Sequence, residues 1–196
     1  MALIYLFFGI FVKLITGFDD TITNVPILAS VTKVKMGKIA FSIGTLLAII
    51  FAIIISMFFA EFLRSFAYYR YIAAALIFIL AALIYFDVFV HKPRTKAEKR
   101  LLRLQKVSAE RFRQLVGIGF IASVATVLDD IIAYSPLFLE SIGASIYAIA
   151  GILIATILEI ILVIYFSGFI AKIKYKEEIA SAGLVILGVL LILGIL

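Results

Sequence analysis

The chain has 196 residues, 65% of them hydrophobic, and a mean hydropathy of +1.25, which a water-soluble domain could carry only by exposing large apolar patches. Its net charge of +6 would suit nucleic acid, but the basic residues are distributed as a membrane requires, so no nucleic-acid partner is expected. The absence of cysteine excludes disulfides and thiolate metal sites.

Apolar runs long enough to cross a bilayer as helices fall at about 2 to 30, 39 to 60, 71 to 90, 114 to 138, 143 to 169 and 179 to 196. The expected fold is therefore an all-α, polytopic membrane protein of six transmembrane helices. No basic region precedes the apolar start Met1-Ala2-Leu3-Ile4, so the first span is expected to be retained and not removed as a signal peptide.

Between the spans, basic residues alternate in density. Lys33, Lys35 and Lys38 follow span 1, only Arg64 and Arg70 follow span 2, and the loop after span 3 holds Lys92, Arg94, Lys96, Lys99, Arg100, Arg103, Lys106, Arg111 and Arg113. None follow span 4, and Lys172, Lys174 and Lys176 follow span 5. Odd loops thus hold 15 of the 18 basic residues and even loops 2, with Lys13 inside span 1. The positive-inside rule then puts the odd loops in the cytoplasm and both termini outside, in the cell membrane. His91, beside Lys92, reads as solvated surface in this basic cluster.

The basic segment divides the chain into a first three-helix repeat (1–90), a cytoplasmic linker (91–113) and a second three-helix repeat (114–196). Within the linker, Ala97 to Val107 is amphipathic and reads as a short helix near lipid headgroups, drawn by anionic lipid. A regulatory or partner-binding helix is the alternative.

Each half opens with two adjacent aspartates in an apolar stretch: Thr16-Gly17-Phe18-Asp19-Asp20 leading to Pro26, and Thr126-Val127-Leu128-Asp129-Asp130 leading to Pro136. The threonines, aspartates, prolines and Ile22 with Ile132 recur at an offset of 110 residues. Carboxylates in hydrocarbon are costly unless paired, so two matched pairs point to a purpose. Three spans per half invert the second half relative to the first, an arrangement found in secondary transporters whose sites lie near the midplane on interrupted helices. Pro26 and Pro136 are expected to break or kink spans 1 and 4 and to free the carbonyls of Ile22 and Ile132.

Residues four apart share a helix face, which aligns Thr16, Asp20 and Asn24 in one half and Thr126, Asp130 and Tyr134 in the other. Asp19, Asp20, Asp129 and Asp130 are the candidate metal ligands, with Thr16, Asn24, Thr126 and Tyr134 in support. Glu159, in mid-span 5, reads as a proton carrier or a structural residue, and at the 110 offset its counterpart is Ile49. Lys13 matches Ser123 and either snorkels outward or pairs with Glu159 or an aspartate to balance charge. An all-oxygen set suits hard cations such as Ca²⁺, Mg²⁺ or Mn²⁺, with Na⁺ and H⁺ using the same groups. Small residues at helical spacing, such as Ala144, Ala148, Gly151 and Ala155, let helices approach closely and leave a homodimer contact open.

Six spans, a three-plus-three repeat and Thr-x-x-Asp-Asp in the first span of each half resemble the LysE-type transporter superfamily. The sequence is most similar to its CadD-like cadmium-resistance proteins, and related branches include TerC-like proteins and the Golgi-type manganese and calcium/proton exchangers. The resemblance implies export of a metal cation against protons, with the two acidic motifs as the ion site.

The function expected is a secondary transporter, exporting a divalent cation such as Mn²⁺, Ca²⁺ or Cd²⁺ with proton coupling. No resident cofactor is expected beyond the transported ion, and membrane lipid is the surrounding partner. The alternatives are export of a small organic solute such as a cationic amino acid, and a Mg²⁺-dependent membrane enzyme acting on a lipid phosphate. Asp-x-x-Asp spacing and Gly-x-Gly-Asp are both absent, so no catalytic set is recognised and the protein is not expected to be an enzyme.

Overall fold

The computed structural model describes residues 2–31, 35–86, 109–124, 128–170 and 176–195. Among them the chain is helical, without strands: α1 (Ala2–Val31), α2 (Lys35–Arg64), α3 (Tyr69–Tyr85), α4 (Ala109–Val124), α5 (Leu128–Tyr134), a 3₁₀ helix (Ser135–Phe138), α6 (Ile142–Ile170) and α7 (Lys176–Ile192). Two stretches of these, Met36–Arg64 and Ile142–Leu162, are long and apolar enough to cross a membrane by length and composition. The linker from 91 to 108, with its amphipathic stretch and His91, lies outside the described residues.

The two prolines behave differently. α1 continues as one helix through Pro26, so of the break or kink expected there the break does not occur. A helix can carry an internal proline at the loss of one hydrogen bond when its surroundings hold it. In the second half α geometry ends at Tyr134, and Pro136 sits in the first turn of the 3₁₀ helix, where a missing N–H does no harm. Its freed acceptor, the Ile132 carbonyl, receives a hydrogen bond from the Ser135 hydroxyl at 2.9 Å.

The most extensive packing pairs α1 with α6, α2 with α4, and α3 with α7. Glycines let the first two pairs touch backbone to backbone. A Cβ on Gly9 would overlap the Ala148 carbonyl, and one on Gly151 the Leu6 carbonyl. Across the other pair, a Cβ on Gly119 would overlap the Phe41 carbonyl and one on Gly44 the Val116 carbonyl. These four contacts match one for one. Gly9 and Leu6 lie 110 residues before Gly119 and Val116, while Phe41 and Gly44 lie 107 residues before Ala148 and Gly151. The packing register of α6 on α2 therefore makes Ala52, not Ile49, the counterpart of Glu159.

Many of the closest interior positions are small. Along α2 the buried positions include Ala40, Ala48, Ala52, Ser56 and Ala60, while Leu47, Phe51, Ile54, Met57 and Phe58 are exposed. At one end of the bundle the Tyr5 hydroxyl donates to Glu140, which also pairs with Arg70 at 3.6 Å. Close by in sequence, Arg64 donates to the Phe138 and Leu139 carbonyls at 2.9 and 3.1 Å, satisfying acceptors that the end of the 3₁₀ helix leaves open. The start of α1, the α2–α3 turn and the segment before α6 thus meet at one end.

Candidate functional site

In the interior, three helices bring charged groups together. Lys13 of α1 places its Nζ 3.6 Å from Asp130 Oδ2 of α5 and 3.4 Å from Glu159 Oε2 of α6. All three are buried, with residue exposures of 2%, 0% and 9%. Isolated charges in such a setting are prohibitively costly, so the groups are held by one another.

Sequence spacing explains the convergence. Lys13, Thr16 and Gly17 lie on one face of α1, at i, i+3 and i+4. That face meets α6 at Glu159, and a Cβ on Gly17 would overlap the Glu159 carboxylate, so this glycine makes the room in which the glutamate sits. The Thr16 hydroxyl lies 2.5 Å from Asp130 Oδ1, a distance typical of a hydroxyl donating to a carboxylate. Its other short contact is the Val12 carbonyl at 3.2 Å. Tyr134, one turn beyond Asp130 on α5, is fully buried, with its hydroxyl near Asp130 and Thr16 but in no well-formed hydrogen bond.

Two carboxylates face one ammonium, so with all three ionised the group carries one uncompensated negative charge. Asp130 Oδ2 and Glu159 Oε1 are both buried and make no hydrogen bond. Asp130 Oδ2 faces the Lys13 ammonium, whereas Glu159 Oε1 has lone pairs open to a further positive partner. Chemically the arrangement accepts a cation or a proton. It is a poor seat for an anion or a carboxylate-bearing solute, because its cation is already matched by two acids.

Of the residues singled out from sequence, Lys13, Thr16, Asp130, Tyr134 and Glu159 meet here, and Lys13 is buried, not snorkelling. Asp129 is half-buried beside them in sequence. The side chains of Asp19, Asp20, Asn24 and Pro26, and Thr126 altogether, lie outside the described residues. Among the described residues, no three acidic or histidine side chains stand close enough to hold a metal ion. Gly17 was not singled out; the signal available was a glycine one turn after a lysine in an apolar run. Ser123, the counterpart of Lys13, donates to Thr45 of α2 at 3.1 Å, a neutral contact in the corresponding place.

Comparison with protein-family models, with curated proteins and with solved structures returns no match.

Proposed function

We propose that the protein is a multi-pass membrane transporter of the LysE type that exports a divalent cation such as Mn²⁺, Ca²⁺ or Cd²⁺, coupled to protons, through a site between two inverted three-helix repeats. The observation that carries this reading is the buried Lys13–Asp130–Glu159 group, in which two acids face one ammonium and two carboxylate oxygens lack hydrogen bonds. Such a cluster weakens a purely structural interior, and in a bilayer it marks an ion or proton path. Asp19, Asp20 and Asp129 would supply the further ligands that a divalent ion needs.

Several features support membrane embedding. Large apolar side chains such as Phe7, Phe58, Ile79, Ile121 and Ile146 point outward, as they would towards lipid, and small residues such as Gly9 and Gly151 sit where helices touch backbone to backbone. Exposed Tyr68 and Tyr71 at the start of α3, and Tyr85 and Phe86 at its end, suit the two headgroup levels.

The repeat reading draws on the helix pairing. If the first three spans correspond to the last three, α1 against α6 must correspond to α4 against α2, and α3 against α7 to itself; those are the three dominant pairings. The four matched glycine contacts fit the same two-fold relation. Three spans per half, with the odd loops basic, make that relation an inversion across the membrane, with both termini outside.

The test is flux into liposomes containing the purified chain and a metal-sensitive dye, with Mn²⁺, Ca²⁺, Cd²⁺, Mg²⁺ and Na⁺ tried with and without a pH gradient. Flux of at least one ion, dependent on the gradient and abolished by Asp130→Asn and Glu159→Gln, is expected. Flux of none, or flux unchanged in both variants, refutes the proposal.

A further inference from the structure

We infer that the Lys13 ammonium is a tethered cation seated on the transported ion's own site, which the ion must displace to reach Asp130 and Glu159. The inference rests on the transport reading above and adds to it how the empty carrier is held and how the cargo is expelled.

Its ground is the geometry of the three groups. Nζ lies 3.6 Å from one carboxylate and 3.4 Å from the other, on two different helices. The ammonium thus sits between the two acids, within ion-pair distance of each, and bridges α5 and α6. The carboxylate oxygens without hydrogen bonds, Asp130 Oδ2 and Glu159 Oε1, belong to the same two acids. Another cation bridging both acids would lie against Nζ, and like charges so close in a poorly solvated interior exclude one another. Occupancy by lysine and by cargo are therefore alternatives. Lysine suits this role because its charge is a compact point on a flexible four-carbon stem. One turn along α1, Gly17 presents no side chain, so the face beside Glu159 is kept clear.

The arrangement has a functional consequence. An emptied carrier would otherwise change conformation with two bare acids in the membrane; the returning ammonium neutralises one of them and pushes the departing ion off. Lys13 is thus a specificity and release residue, with Asp130 and Glu159 as the ligands it shares with cargo.

The experiment uses the purified full chain, with Mn²⁺, Ca²⁺ and Na⁺ as chlorides. Lys13→Met keeps the stem and removes the charge, and is expected to bind the transported cation on the order of tenfold or more tightly, within the usual range of coupling between two sites. Its turnover in liposomes falls, because release slows, while Lys13→Arg stays within a few-fold of wild type in affinity. In the unmutated protein, acetylation of Lys13 by acetic anhydride, quantified by mass spectrometry, rises when a saturating transported cation is added. This readout decides the matter if Lys13→Met does not fold. Unchanged or weaker binding in Lys13→Met, or Lys13 acetylation indifferent to the cation, overturns the inference while wild-type flux leaves the transport reading standing. A wild-type protein that moves none of the ions overturns both.

Discussion

Gly17→Ala isolates the one contact through which α1 makes room for a charged residue of α6. The added methyl would overlap the Glu159 carboxylate, the end of a flexible side chain and not backbone, so the helices need not separate and Glu159 is expected to swing away from Lys13. Two effects oppose each other. Alanine in place of glycine within a helix gains roughly 0.5–1 kcal/mol. Removing one partner outright from a buried charge group costs about 3–5 kcal/mol; Lys13 keeps Asp130 at 3.6 Å, so only part of that is lost. A net destabilisation of about 1–2 kcal/mol is expected from these two terms. In a Glu159→Ala background the three atoms nearest the methyl are gone, and the same substitution should stabilise by about 0.5–1 kcal/mol. The sign therefore reverses. The four proteins of this double-mutant cycle are compared by reversible unfolding in detergent micelles, with an expected coupling of about 2 kcal/mol. Equal effects of Gly17→Ala in both backgrounds would refute the idea that this glycine exists to seat Glu159.

Other glycines separate by what they touch. Gly9→Ala, Gly151→Ala, Gly44→Ala and Gly119→Ala would push against backbone carbonyls that cannot rotate away, and each should destabilise by about 1–3 kcal/mol, whereas Gly117→Ala and Gly143→Ala, with open space around them, should be neutral or slightly stabilising in thermal unfolding. Arg64→Met removes the donors to the Phe138 and Leu139 carbonyls and should cost about 1–3 kcal/mol, with Arg64→Lys a poor substitute because one ammonium cannot reproduce a two-nitrogen fork.

Much of the helical plan could be read from apolar run lengths: the run from 39 to 60 lies inside α2, and those from 71 and 143 begin within two residues of α3 and α6. Run length works because a helix buried among helices or lipid is apolar on every side. The same property hides packing, since an evenly apolar helix carries no stripe to name its neighbour. Hence the pairing of α1 with α6 was not legible, and the close contacts had to be found at glycines such as Gly9 and Gly151. Lys13 and Glu159 were conspicuous as charges, but 146 residues of sequence separate them and nothing in their spacing joins them. The prolines differ in outcome: Pro26 follows its Asp-Asp pair at the same spacing as Pro136, yet only the second coincides with a change of helix type. What differs is Ser135, whose hydroxyl satisfies the Ile132 carbonyl and so stabilises the turn, where the first half has Val25.

Backbone contacts repeat between the halves while the charges do not. Lys13 has Ser123 as its counterpart, and Glu159 has Ala52 in the packing register, so one half carries an acid and a base where the other carries neither. The two lie 3.4 Å apart, and together they add no net charge. Glu159 without Lys13 would leave an acid with no counter-ion, costing several kcal/mol, while Lys13 without Glu159 would keep only Asp130. The second half allows the point to be tested. Ser123→Lys alone should destabilise by about 3–5 kcal/mol, as should Ala52→Glu alone. The double variant should be better than the sum of the two by at least about 1–3 kcal/mol, because each supplies the other's counter-ion. Valine stands at 127, the position corresponding to Gly17, so the rescue should become fuller when Val127→Gly is added. Strict additivity of Ser123→Lys and Ala52→Glu in unfolding experiments would mean that positions 123 and 52 do not face each other as Lys13 faces Glu159, and the two-fold register derived from the glycine contacts would fall with it.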